Sequence, residues 1–453
     1  MKKICILLIL TAAMNAGAQK KFDSAAYAGF NTARWEKVSF AELSKTVLKE
    51  NLSAEEKLIG LSKCWAEARY NFANFDLVPA LAWDSLYMAF IPKVMAARST
   101  VDYYRVLQNF YLYLRDGHTA VMLPGSFRKE ISGRLPLQVR WIENKAVVVE
   151  NASQRDGEKT VKAGAELTDI NGEPLQAYIR KNVSPYLHFS TPQDSTERIY
   201  RYDLFQAKPG DQWNLSFRTT EGKTVQQPFV FTKEESIQRL PLLQFSVLPL
   251  NIGYLQLNSF GDEKIVQQFD SIFSALSQTA SLIIDVRNNG GGNGGNGFEI
   301  LGYLTNKPFY TGKAMIRQYR PVGRSWDGVE KGSIEEDTWK PYKNKLYNKP
   351  VVVLTGGATY SAAEDFTATF KNMKRGAVIG EPSGGSTGQP VFFTLPGGGV
   401  GYVCSKRDFF SDGTEFVGVG IQPDVVVHPT AKSIAEGKDD VLEAAIKYLQ
   451  TKK

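Results

Sequence analysis

The sequence predicts a multidomain protein of α+β and α/β class, with a helical N-terminal region, a β-rich middle and an α/β core. Three observations carry that expectation. At 453 residues the chain exceeds what one hydrophobic core organises, since single cores stop growing near ~250–300 residues. The apolar pattern changes twice: helical spacing to about Leu114, alternation from Arg134 to about Phe231, then strands alternating with amphipathic helices from about Val247. A composition of 43% hydrophobic and 22% charged residues is that of a globular chain.

Taken in order, the N-terminus reads as a secretory signal over residues 1–18. Lys2-Lys3 is followed by the apolar run Ile4 to Leu10 and by Ala16-Gly17-Ala18, the basic, apolar and small-residue regions of such a segment. Cleavage after Ala18 leaves Gln19 first and implies an exported protein, periplasmic or extracellular. The run is shorter than the ~20 residues a membrane helix needs, Cys5 lies inside it rather than at a lipidation site, and no later stretch is long enough to cross a bilayer. The net charge of +7 has no basic block behind it, so it reads as a solvated surface and predicts no nucleic-acid partner. Once the signal is removed only Cys64 and Cys404 remain, enough for one disulfide but not for a disulfide framework or a zinc site. With three histidines in the chain, His118, His188 and His428, no metal cluster or cofactor site is expected, and any general base comes from a short set.

From about Phe40 to Leu114 aromatic and apolar residues recur three and four apart, which predicts a small helical bundle. It ends in Leu114-Arg115-Asp116-Gly117-His118-Thr119, placing His118 on a turn where a neighbouring region can use it, although a surface turn histidine fits equally on local grounds. Next, Leu135 to Trp141 and Lys145 to Val149 flank Glu143-Asn144 as in a hairpin. Ala163 to Leu175 contains Gly-x-x-Leu-x-x-Ile-Asn-Gly-x-Pro-Leu, which resembles a PDZ domain and implies that a peptide is tethered or gated at a sheet edge. His188 falls in a long polar insertion and receives no role. In the final region the buried strand Ala280 to Val286 runs into Asn288-Asn289-Gly290-Gly291-Gly292-Asn293. That run lacks the endings of a phosphate loop or a dinucleotide site and suits backbone N–H groups pointing into a site. A second buried strand, Pro350 to Leu354, turns through Gly356-Gly357 into a helix at Ser361. A serine there is either a helix cap or a nucleophile lying at free N–H groups and the positive helix end.

Three motifs in order, Asp285-Val286-Arg287-Asn288-Asn289-Gly290-Gly291-Gly292, Thr359-Tyr360-Ser361-Ala362-Ala363-Glu364 and Gly420-Ile421-Gln422-Pro423-Asp424, resemble the tail-specific (C-terminal processing) and tricorn-type serine peptidases. The resemblance covers roughly Leu107 to the C-terminus. It implies a crotonase/ClpP-like α/β catalytic core over 237–453, a PDZ-like domain over 126–236 and a helical domain over 19–125 carrying the base. It further implies endopeptidase action on protein or peptide substrates without metal, nucleotide or other cofactor, and leaves the oligomeric state open. Ser361 is then the nucleophile, and Gly291 or Gly292 together with Ala362 supplies the oxyanion hole. The lysine that the tail-specific branch places after Ser386-Thr387-Gly388 is Gln389 here, whereas Asp116-Gly117-His118-Thr119 matches the tricorn branch; His118 is the expected base, with Lys406 as fallback. Where that branch carries an orienting glutamate this chain has Val417. Glu415, two residues earlier on the same strand face, or Glu364, one turn beyond Ser361, is expected to take its place. Competing readings are a peptide-binding scaffold of the same fold and an acyl-CoA enzyme, the latter disfavoured for an exported chain.

Overall fold

The computed structural model describes residues 22–32, 38, 45–233, 240–326, 331–342 and 344–451. The expected signal, residues 1–18, lies outside them. The chain divides into a unit ending at Lys37 and a second from Val38 to Lys453. Of the first, the structure describes helix α1 (Ser24–Thr32), with Phe22 and Tyr27 in ring contact.

The second unit opens with helices α2 (Ala54–Asn71), α3 (Trp83–Ala96) and α4 (Thr100–Leu112). Ser53 and Glu56 close a reciprocal capping box at the start of α2, which satisfies backbone donors that the first turn leaves free. Strand β1 (Ala120–Met122) follows the His118 turn. The middle region is a sheet of β2 (Leu137–Ile142), β3 (Lys145–Asn151), β4 (Glu166–Ile170), β5 (Gln212–Arg218) and β6 (Thr224–Val230). Helix α5 (Leu175–Asn182) packs on it. Glu143 and Asn144 both take positive φ, 51° and 60°, the conformation that matches a two-residue hairpin turn to the twist of its strands. Between α5 and β5, helix α6 (Pro192–Glu197) continues through a π-helical turn to Asp203.

The largest core surrounds a sheet whose strands run β7 (Leu243–Leu248), β8 (Ile252–Leu257), β9 (Ser281–Asp285), β12 (Val351–Thr355), β13 (Gly376–Gly380) and β17 (Val425–Val426), all parallel from β8 onward. Every residue of β9 and β12 is buried, because helices cover both faces: α7 (Lys264–Leu276), α8 (Gly294–Gly302) and α9 (Ala362–Asn372) pack on one, and α10 (Asp440–Gln450) on the other. The long strands β10 (Phe309–Gln318) and β11 (Lys331–Trp339) form an arm beside β16 (Lys406–Phe409). Outside the main sheet, β15 (Val400–Cys404) pairs with β1, Ala120 opposite Tyr402, and on its other edge with β14 (Pro390–Thr394). Their apolar faces then complete the helical core, where Phe393, Val403 and Cys404 are packed with Leu61, Tyr103, Phe110 and Trp83. Burial has therefore joined segments hundreds of residues apart. Cys64 and Cys404 share this core as buried free thiols. Among the described residues no helix is long and apolar enough to cross a membrane.

Candidate active site

Parallel neighbours end side by side, so the loops after β9 and β12 meet at the carboxyl edge of the sheet, where α/β proteins hold their ligands. After β12 the chain turns at Ser361, whose φ of 55° and ψ of −127° lie outside the regions a serine adopts freely. That sharp turn sets the hydroxyl at the mouth of α9. After β9, Gly291 approaches so closely that a Cβ on it would lie 2.6 Å from the Ser361 Cβ and 3.0 Å from the Ala362 nitrogen. Gly292 has φ of 134°, and a Cβ there would strike Phe260 and Gly261 at 2.3 Å. Both positions need glycine on sterics alone. The Gly291 N–H is already given to Asn289 Oδ1 at 2.9 Å.

His118 reaches this edge because β1 pairs with β15, and because the Cys404 N–H donates to Thr119 Oγ1 at 3.0 Å. Its Nε2 lies 3.0 Å from Ser361 Oγ, and its Nδ1 lies 2.7 Å from Ser386 Oγ. The ring is stacked on Tyr360, centroids 4.9 Å apart and planes 5° from parallel. Burial, assisted by the Arg198 guanidinium, pulls the His118 pKa down to about 3, so the imidazole is neutral and able to accept a proton. Asp116 takes the His118 backbone N–H at 2.7 Å and Asn74 Nδ2 at 2.9 Å, bracing the turn rather than the ring.

Glu364 is fully buried beside Ser361. Its carboxylate accepts from the Gly385 N–H at 2.7 Å, the Ser386 N–H at 2.8 Å, the Ser383 hydroxyl at 2.5 Å and the Ser361 N–H at 3.3 Å. Burial pushes its pKa up to about 7 against the donors Ser383, Ser386 and Gly385.

These two loops and the helix after them carry a family signature. Residues 251–427 match the profile of peptidase family S41. At 26% identity over 59% of the chain, the protein is similar to the chloroplastic C-terminal processing peptidase of Tetradesmus obliquus, of whose length 53% is covered. A tricorn protease homolog of Streptomyces coelicolor is 28% identical over 43% of the chain and 15% of its own. The chain thus spans about half the length of the first relative and less of the second. Among solved structures, mature CPAF complexed with lactacystin shares the fold with a TM-score of 0.70 at 17% identity, covering 88% of this chain and 98% of that one.

The S41 segment contains Ser361, both glycines, Ala362 and Glu364, while His118 comes from outside it. Glu415 is not brought to the histidine. Its side chain is half-exposed and 3.8 Å from Arg407, because its strand segment bridges to Phe409, away from the ring, and the adjacent Val417 fills a small apolar core with Phe416 and Ile421. Lys406 sits 2.9 Å from Asp408; burial opposes its charge, but Asp408 and Asp365 outweigh burial and raise its pKa, which disqualifies it as a base at neutral pH. Two residues that sequence reasoning passed over stand at the centre. Ser386 was visible only as the neighbour of the absent lysine. Arg198, on the polar insertion, donates to the Tyr360 phenol at 2.7 Å, to the Gly117 carbonyl at 3.1 Å and to Asp194 at 2.7 Å, so it ties together the residues just before Ser361 and His118. It also bonds His188 at 2.9 Å, placing that histidine behind the site.

Proposed function

We propose that the protein is a serine endopeptidase that cleaves peptide bonds of protein or peptide substrates, with Ser361 as nucleophile and His118 as general base. The observation that carries this reading is the 3.0 Å contact between the neutral His118 Nε2 and Ser361 Oγ, at a strand-to-helix turn walled by glycine backbone. The Ser361 oxygen attacks the scissile carbonyl as its proton passes to Nε2. Negative charge on the former carbonyl oxygen is met by the Ala362 N–H, one of the donors a helix start leaves unpaired, and by the Gly292 N–H, since that of Gly291 is engaged by Asn289. The imidazolium returns the proton to the leaving amine. Water, deprotonated by the same nitrogen, then releases the acyl group from Ser361.

Export follows from the signal-like residues 1–18, with the mature chain in the periplasm or outside the cell. The PDZ-like middle region is read as a tether for substrate chains, and its link to the site runs through α6 and Arg198. Purified protein tests the chemistry directly. Wild type should cleave an unfolded protein and be labelled by a fluorophosphonate; Ser361→Ala and His118→Ala should lose cleavage by roughly three orders of magnitude or more, and Lys406→Ala should remain active. Persistent cleavage by Ser361→Ala, or loss in Lys406→Ala with His118→Ala unaffected, would overturn the assignment.

A further inference from the structure

For His118 Nε2 to take the Ser361 proton, the ring's own hydrogen must sit on Nδ1 and needs an acceptor there. Among the described residues the group at that nitrogen is a hydroxyl, Ser386 Oγ at 2.7 Å, fully buried. Resting on the peptidase reading above, we infer that Ser386 is the positioning residue that orients the base, its hydroxyl oxygen accepting from the His118 Nδ1–H, with Glu364 acting one step further back.

Ser386 is fixed from three sides. Its N–H is held by Glu364 Oε2 at 2.8 Å, and its carbonyl accepts from the Ser361 N–H at 3.1 Å. One residue therefore registers the base through its side chain and the nucleophile through its backbone. Loops are rarely buried, because their polar groups go unsatisfied, yet Ser383, Ser386 and Thr387 show no exposure. Glu364 makes that possible by taking Ser383, Gly385 and Ser386 together. The ring plane is held as well: His118 stacks on Tyr360, whose phenol accepts from Arg198 at 2.7 Å.

A hydroxyl in this place fixes tautomer and ring plane without lending the negative charge of a carboxylate. Its loss should accordingly cost less than the ~10⁴-fold drop seen when an orienting aspartate is neutralised in a Ser-His-Asp protease.

The test is steady-state kinetics on a peptide substrate, per active site titrated with a fluorophosphonate. In Ser386→Ala kcat should fall roughly 10- to 100-fold, the worth of one buried hydrogen bond, with KM unchanged. Ser386→Thr should recover most of kcat, and Ser386→Val, of the same shape without the hydroxyl, should not. Wild-type kcat in Ser386→Ala, or equal impairment of the threonine and valine variants, would overturn the role. If Ser386→Ala does not fold, the threonine and valine pair decides alone. These failures are distinct from that of the peptidase reading, which falls if Ser361→Ala keeps its activity, or if Lys406→Ala loses it while His118→Ala does not.

Discussion

Two carboxylates stand close in motif terms and far apart in circumstance. Glu364 lies beside Ser361 with no exposure and four donors aimed at it, whereas Glu415 keeps 45% of its side chain in solvent beside Arg407. Sequence position favoured Glu415, because the resemblance implied an orienting acid in its segment. Surroundings set Glu364 apart, because a carboxylate acts on its neighbours in proportion to its burial and to the donors fixed around it. A motif marks where an acid has stood; burial decides which acid now has work there.

The strongest way to break this comparison is Glu364→Ala. Removing the carboxylate leaves several buried donors unsatisfied, which should cost about 2–4 kcal/mol of stability and displace Ser386 from the ring. Denaturant unfolding together with kcat measures both, and a variant as stable and active as wild type would remove Glu364 from the account. Glu364→Gln sharpens the same point through pH. Folding holds the Glu364 pKa at about 7 against an ordinary 4.5, so the folded chain binds that proton more tightly than the unfolded one. Its contribution is fully present below pH 4.5 and is lost as pH rises through 7. The stability advantage of wild type over Glu364→Gln should therefore narrow between those values; an advantage that widens would mean that the four donors overcome burial and keep the group ionised. The smallest effect is expected at Glu415. Glu415→Gln should leave kcat and KM near wild type and stability within about 0.5 kcal/mol, as for a surface substitution. A collapse of kcat there would return the orienting role to that segment.

What the sequence made legible was local. The turn at Ser361 is announced by a β-branched run, two glycines and a helix start; the glycine loop follows its own buried strand; and Glu143-Asn144 sits where the two-residue hairpin turn forms. Residue types and backbone propensities within a dozen positions suffice for such features. The pairing of β1 with β15 was not legible, since nothing near His118 names a strand from the far end of the chain as its partner. Ser386 escaped because the search at His118 Nδ1 was for a charged group, and a serine in a small-residue loop has too many ordinary uses to stand out. The insertion holding Arg198 read only as polar, and Asp194 and Arg198, four residues apart, have the spacing of any helical pair. Here the pair is mostly buried, with 3% and 17% of the side chains exposed.

The strand pair that carries His118 to the site also sets a timetable for synthesis. Thr119 and its partner Cys404 are 285 residues apart, so at the usual pace of translation roughly 15–60 s pass between the emergence of one and that of the other. Through that interval the nascent chain holds His118 apart from Ser361, and afterwards it waits on a closure of high contact order, which is slow by nature. On the proposed peptidase reading, a ribosome-bound or truncated chain ending before Cys404 should consequently be harmless to its neighbours. The capacity to cut would then arrive last, once nearly the whole polypeptide is in place.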